Sequence, residues 1–240
     1  MVSAVVLAGG KGTRVGGDTK KQYIEINGRT VIEWALLAFE KSAVDEIVLV
    51  CPAGDEESLK NLIVKSGIKK CRMIVAGGAS RPESVLNGLR ALKSDYVLIH
   101  DGARPCIEPD VINKAVEYVK QVGACVVGVP VTDTIHLTDA DGRIVSTPER
   151  SLLWAAQTPQ CFKYDLILSA YEKAIEAHDE SITDDAMTLR KYVGAEVYML
   201  MGSRDNIKFT TKEDADRIAA FLKNWPGTQQ CALFFTTWEA

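Results

Sequence analysis

Four stretches of this chain combine charge, small size and spacing in a way that suits a phosphorylated ligand. The first is LAGGKGTR (7–14), which follows the apolar run SAVV and is itself followed by Lys20 and Lys21. Glycines let successive N–H groups turn inward as an anion nest and let the backbone come close to a ligand. Lys11 and Arg14 add positive charge, which a triphosphate needs beyond neutral backbone donors. Two familiar owners of such a loop are excluded. A dinucleotide fingerprint needs glycine where Val15 stands, and an acid at the end of EIVLVCP, where there is none. A P-loop needs Ser or Thr after Gly-Lys, whereas Gly10-Lys11 is followed by Gly12. The loop therefore holds a phosphate by its own cations, or it is a strand-to-helix turn with solvated bases.

The other stretches also follow apolar runs. GGASRPES (77–84) supplies Gly78, Arg81 and Ser84, the serine placed to cap the next helix or to meet a ligand. HDGARP (100–105) puts Asp101 at a strand tip with Arg104 three residues on, and GSRDNIK (202–208) brings Asp205 and Lys208. Functional groups in open α/β sheets collect at the carboxyl ends of strands. A carboxylate there, opposite a phosphate loop, suits Mg²⁺, a hard ion bound through one or two carboxylates plus substrate phosphates. Asp101 and Asp205 are the candidate pair, with a turn or cap role as the alternative for Asp101. His100, His136 and His178 are scattered and assemble no triad or metal cluster, and no Gly-x-Ser-x-Gly elbow supports hydrolase chemistry.

These residues need a scaffold. Apolar strand-like runs (3–8, 46–51, 72–76, 96–101, 124–131, 196–201) alternate with helix-period segments (30–42, 57–67, 84–93, 110–123, 163–178, 184–193 and one opening at Thr211). Such alternation predicts an α/β fold: a Rossmann-like open, mostly parallel sheet with helices on both faces. Asp110 after Pro109 is the expected cap of the fourth helix, and Thr211 with Asp214 the capping pair of the last. The alternation breaks at TIHLTDADGRIVST (134–147), where Asp141-Gly142 is a hairpin signal. A lone hairpin is marginal in water, so residues 132–150 read as an arm that packs on something else. One domain is expected over 1–225, and residues 226–240 form a tail without a physical reading.

The bulk numbers narrow the partners. A length of 240 residues, 47% apolar content and a net charge of −4 with no basic block describe a soluble globular protein that does not bind nucleic-acid polymers. Six scattered cysteines without zinc or dithiol spacing read as reduced core thiols, and there is no signal segment or membrane span, so a cytoplasmic location is expected.

Taken together, LAGGKGTR, KKQY, GGASRPESV, VLIHDGARP, PVTDTI, ER..LWAAQTPQCF, ITDDA and GSRDNIKFTT resemble, in order, the sugar-phosphate cytidylyltransferases. Within them they most resemble the 2-C-methyl-D-erythritol 4-phosphate family of non-mevalonate isoprenoid synthesis. The resemblance implies transfer of a cytidylyl group from CTP to a sugar-alcohol phosphate, with release of pyrophosphate and help from Mg²⁺. It makes Arg14 and Lys21 transition-state cations, and places Arg150 and Lys208 on the attacking phosphate. It puts Ala8, Gly9, Gly10, Gly12, Gly78, Arg81 and Ser84 on the nucleotide, and Asp101, Arg104 and Thr183 with Asp205 on the substrate and metal side. It also implies a homodimer in which the arm delivers Thr134, Arg150 and Thr158 into the neighbouring site. LAGGKGTR is similar as well to the ribitol 5-phosphate enzymes, which stay open as an alternative acceptor class. A non-catalytic nucleotide-binding regulator is a further alternative, against which Asp101, Asp205, Lys21 and Lys208 weigh.

Overall fold

The computed structural model describes residues 1–9 and 20–225. In chain order its strands are β1 (Val2–Leu7), β2 (Glu25–Ile26), β3 (Arg29–Thr30), β4 (Glu46–Cys51), β5 (Cys71–Ala76), β6 (Tyr96–Asp101), β7 (Ala124–Pro130), β8 (Leu137–Thr138), β9 (Ile144–Ser146), β10 (Trp154–Lys163) and β11 (Tyr198–Met201). Its helices are α1 (Val31–Glu40), α2 (Glu56–Lys65), α3 (Arg81–Arg90), α4 (Pro109–Val122), α5 (Tyr164–Glu176), α6 (Asp185–Val193) and α7 (Glu213–Lys223).

Seven strands form one sheet in the order β11-β7-β10-β6-β1-β4-β5. All neighbours pair in parallel except β10, which runs antiparallel to both β6 and β7. The inner strands are apolar throughout because both faces are covered. On one side α1, α2, α4 and α7 pack over Ala4, Val6, Ile47 and Leu49; on the other α3, α5 and α6 pack over Val5, Val48 and Val50. The chain leaves β1 toward β4 and β5, then returns to β6 on the other flank of β1. The reversal opens a crevice at the carboxyl ends of β1 and β6, where ligands bind in such sheets.

Local chemistry sets the ends of several elements, sometimes one residue from where the sequence places them. Helix α1 is capped by Thr30, whose side chain accepts from Glu33 N. Helix α3 begins three residues before the predicted 84 because Ser80 caps it, accepting from Glu83 N, with Pro82 in the first turn. Helix α4 is entered from Glu108 with Pro109 as first residue, so Asp110 lies in the first turn and is not the cap. For α7 the carboxylate half of the expected pair forms, Asp214 accepting from Thr210 N and Thr211 N at 2.8 and 2.9 Å, while Lys212 holds the cap position.

The strand β10 has no counterpart among the predicted elements. Its core, AAQTPQ, lacks an apolar run and carries Pro159, which argues against an inner strand. The chain accommodates the proline by a register shift against β7 between Ala156 and Gln160. The hairpin does form: β8 and β9 pair only with each other, and Gly142 takes φ +81° at the turn. Among the described residues Cys51, Cys71, Cys106, Cys125 and Cys161 are free thiols, and no helix is long and apolar enough to cross a membrane.

Candidate active site

A cavity of about 450 Å³ opens over the carboxyl ends of β1 and β6. It is lined by Leu7, Ala8 and Gly9 from the end of β1, Gln22, residues Gly78–Arg81 and Ser84 at the start of α3, and Asp101, Ala103 and Lys208. Of the expected site residues, Ala8, Gly9, Gly78, Arg81, Ser84, Asp101 and Lys208 thus meet in one place. Gly10, Gly12 and Arg14 lie outside the described residues, as does the tail 226–240. Lys21 opens a single 3-10 turn, Lys21–Tyr23, beside the cavity wall.

Asp101 is the electrostatic centre. One carboxylate oxygen accepts from Lys208 Nζ at 2.7 Å and the other faces Arg81 Nη2 at 3.6 Å. Burial pushes this acid up, but Arg81, then Lys208 and Arg104, outweigh it and hold the carboxyl well below its usual range. Arg81 is fixed from behind by a bidentate pair with Asp185, 2.8 and 2.9 Å, and Asp185 has no exposed surface and also accepts from Tyr171 Oη. Burial opposes the charge on Arg81, yet Asp185 holds it firmly protonated.

The strand that the sequence left unassigned organises the rest. Thr158 Oγ1 accepts from Asp101 N at 3.1 Å and lies 3.0 Å from His100 Nδ1, while His100 Nε2 lies 3.2 Å from Arg104 O. One tautomer satisfies all three: Nε2–H donates to the carbonyl and Nδ1 accepts the threonine hydroxyl. Burial lowers the pKa of His100 to about 4, so the ring is neutral and fully engaged. Gln157 donates to Ser203 O, and Asn206 Nδ2 donates to Gln157 Oε1 and Thr158 O. Gln160 accepts from Ala186 N and donates to Asp184, seating the start of α6 and with it Asp185. Gln157, Thr158 and Gln160 therefore tie together the loops that carry Asp101, Lys208 and Asp185.

Several expected roles change. Thr158 is not on the arm: it sits in β10 within the central sheet, only 4% exposed, and serves its own chain's Asp101. Ser84 is not a helix cap; its hydroxyl donates to Ser80 O and accepts from Gly78 N, so it holds the glycine turn at the cavity rim. Lys20 is bound to Asp55 at 2.7 and 2.9 Å and acts as an anchor for the turn. Arg104 donates to Asn206 O from a largely buried position, bracing the loop after β11 and not lining the cavity. Thr183 is exposed and donates to Met187 Sδ, and Asp205 is exposed on the loop after β11; neither lines the cavity. Thr134 and Arg150 are exposed on the arm, Arg150 donating to Thr132 O of its own chain.

Asp101 lines the cavity and Asp205 does not, and no group of three or more His, Cys, Asp or Glu side chains suited to a metal exists among the described residues. Asp101 fits a magnesium ion: an ionised carboxylate has about four lone-pair sites, and two cation contacts leave some open.

Sequence reasoning missed Gln22, Asp185 and Tyr171. Asp185 stood in ITDDA, where a pair of acids before a helix reads as a cap; Asp184 is that cap, accepting from Met187 N, while Asp185 turns inward. Tyr171 is one apolar position among many on α5 and left no signal.

The profile of the 2-C-methyl-D-erythritol 4-phosphate cytidylyltransferase family matches residues 2–224. Enzymes of that name from Alkaliphilus oremlandii and Lachnospira eligens are 44% and 43% identical to it, over 88% and 93% of this chain and 91% and 100% of theirs. A crystal structure of a 4-diphosphocytidyl-2C-methyl-D-erythritol synthase from Anaerococcus prevotii superposes with a TM-score of 0.81 at 32% identity, covering 93% of this chain and 96% of that one.

Proposed function

Because the chain belongs to the 2-C-methyl-D-erythritol 4-phosphate cytidylyltransferase family, we propose that its cavity is where CTP meets 2-C-methyl-D-erythritol 4-phosphate. The products are CDP-methylerythritol and pyrophosphate. The observation that carries this reading is Asp101 held ionised between Lys208 and Arg81 at the ends of β1 and β6.

The acceptor's phosphate oxygen attacks the α-phosphorus of CTP in line and pyrophosphate leaves. A phosphate monoester with a second pKa near about 6 is already largely ionised at neutral pH, so no general base is required. His100, the histidine beside the site, is neutral and committed on both nitrogens. Catalysis then rests on bringing two anions together and neutralising the charge that develops. In this reading Lys208 holds the attacking phosphate, and Arg14 and Lys21 stabilise the α-phosphate and the departing pyrophosphate. Asp101 would hold Mg²⁺ together with phosphate oxygens; when bound, the ion supplies further neutralisation of the triphosphate.

The arm supports a homodimer with shared sites. Ile135, Leu137, Ile144, Val145 and Leu152 are 39–75% exposed on residues 135–152, an apolar surface that water does not favour. A second copy would cover it and bring Arg150 and Thr134 to the neighbouring cavity, adding a cation for the attacking phosphate. A cytoplasmic location is part of the same proposal.

Pyrophosphate release measured for each of four nucleoside triphosphates against 2-C-methyl-D-erythritol 4-phosphate and ribitol 5-phosphate tests the reading. Turnover with CTP and the methylerythritol phosphate is expected; turnover with ribitol phosphate alone would reassign the acceptor, and none with any pair would refute catalysis.

A further inference from the structure

Gln22 is 2% exposed, lines the cavity, and leaves both its amide oxygen and its amide nitrogen without a hydrogen-bond partner. Buried polar groups in folded proteins are nearly always paired, so an unpaired amide on a residue that lines a cavity is a place where a ligand can complete the pairing. The side chain is held there by its flanks. Lys20 and Tyr23 both bond to Asp55, and Tyr23 N donates to Lys20 O at 2.9 Å, so the turn carrying Gln22 is pinned on either side.

The chemistry of the missing partner follows from what the amide offers. It presents a donor and an acceptor together. An ionised phosphate oxygen only accepts and would leave Oε1 unpaired, and the cavity already has Lys208 and Arg81 as pure donors for phosphate. On the cytidylyltransferase reading proposed above, the nucleobase lies at the other wall, by Gly78 and Ser84. Tyr23 and Ile24 pack into the apolar layer of α1, whereas Ser84 and Gly78 sit at the start of α3, whose Val85, Leu86 and Leu89 form the opposite layer. What remains is a hydroxyl on carbon, which donates and accepts at once. We propose that Gln22 is a binding residue for a polyol hydroxyl of the bound substrates, on the ribose of CTP or on the alditol chain of the acceptor. This rests on the cytidylyltransferase reading above.

The test compares wild type with Gln22→Met, which keeps length and removes both polar atoms. In wild type, calorimetry is run with CTP, 2′-deoxy-CTP and 3′-deoxy-CTP, and KM is measured for the acceptor. If the hydroxyl is on ribose, wild type prefers CTP to one deoxy analogue by about tenfold, and the variant loses that preference. If it is on the acceptor, the nucleotide ratios stay and the acceptor KM rises about tenfold. Unchanged ratios together with an unchanged acceptor KM overturn the proposal. The ligand-free unfolding midpoint is a second readout: an amide with no partner in the free protein predicts an equal or higher midpoint for Gln22→Met, and a clear drop would mean that the amide serves the fold. Wild-type turnover separates the two levels. Its absence removes the enzymatic reading, while the binding ratios still judge Gln22.

Discussion

The cavity floor and the arm solve opposite problems with the same chain. At the floor, the buried charged groups are matched by others of the chain: Tyr171 and Arg81 hold Asp185, Arg81 and Lys208 hold Asp101, and Thr158 links Asp101 to His100. On the arm, apolar side chains are exposed, Val145 at 65% and Ile144 at 57%, and the two short strands pair only with each other. The floor is therefore preorganised before any ligand arrives, since a buried charge without a partner costs more than the fold can bear. The arm has surplus apolar surface and too little of its own to cover it. The difference teaches that electrostatic geometry here is a property of one chain, and it is the arm's uncovered apolar surface that supports the proposal of a second copy completing the site.

The contrast can be broken most forcefully at the cations. Replacing Arg14 or Lys21 by alanine is expected to lower kcat by about two to three powers of ten, as loss of one preorganised donor does; steady-state assays that find near-normal kcat would remove the assignment. Next comes the shared site. Arg150→Ala and Lys21→Ala, each inactive alone, should regain roughly a quarter of wild-type activity when mixed, because half of the randomly formed dimers are mixed and each of those holds one complete site. No recovery in dimers verified by mass would mean that each chain works alone.

A smaller effect sharpens the floor side. The pKa of His100 falls from 6.5 unfolded to about 4 folded because it is buried. Its contribution is fully present above pH 6.5 and is lost as pH falls toward 4, about 3 kcal/mol in all. Asp101, also depressed, acts only lower, below its ordinary value of 3.8. Denaturant unfolding between pH 7 and 4.5 should thus lose stability in wild type, with a flatter slope in His100→Asn; parallel slopes would contradict the assignment. The smallest effect belongs to the arm. Leu137→Glu with Val145→Glu should change the unfolding free energy of the body by less than about 0.5 kcal/mol, as surface changes do, while sedimentation shifts from dimer to monomer. A large loss of stability would mean that the arm packs on its own body.

Much of this was legible in residue order. Continuous apolar runs ending in Gly, Asp or Arg marked β1, β5 and β6 and the cavity at their ends, because a strand buried on both faces has no polar alternation to disguise it. Asp141-Gly142 marked the hairpin. The strand β10 was not legible: its pairing energy comes from two neighbours far apart in sequence, and Pro159 argues locally against it. The resemblance alone linked Thr158 to the arm, and Asp185 was not singled out, since nothing in ITDDA says which of two adjacent acids turns inward.

The sequence by itself determined the layered sheet, the side of it that binds, and the cations and carboxylate available there, because periodicity and residue type are local properties. Tertiary structure alone decided which partners they take. Gln157, Thr158 and Gln160 lock three distant loops around Asp101, Asp185 faces Arg81 across 104 residues of chain, and Gln22 is left with an unpaired amide at the cavity wall. Pairing of buried polar groups depends on distance and desolvation in the folded state, and neither is written in the spacing of residues along the chain.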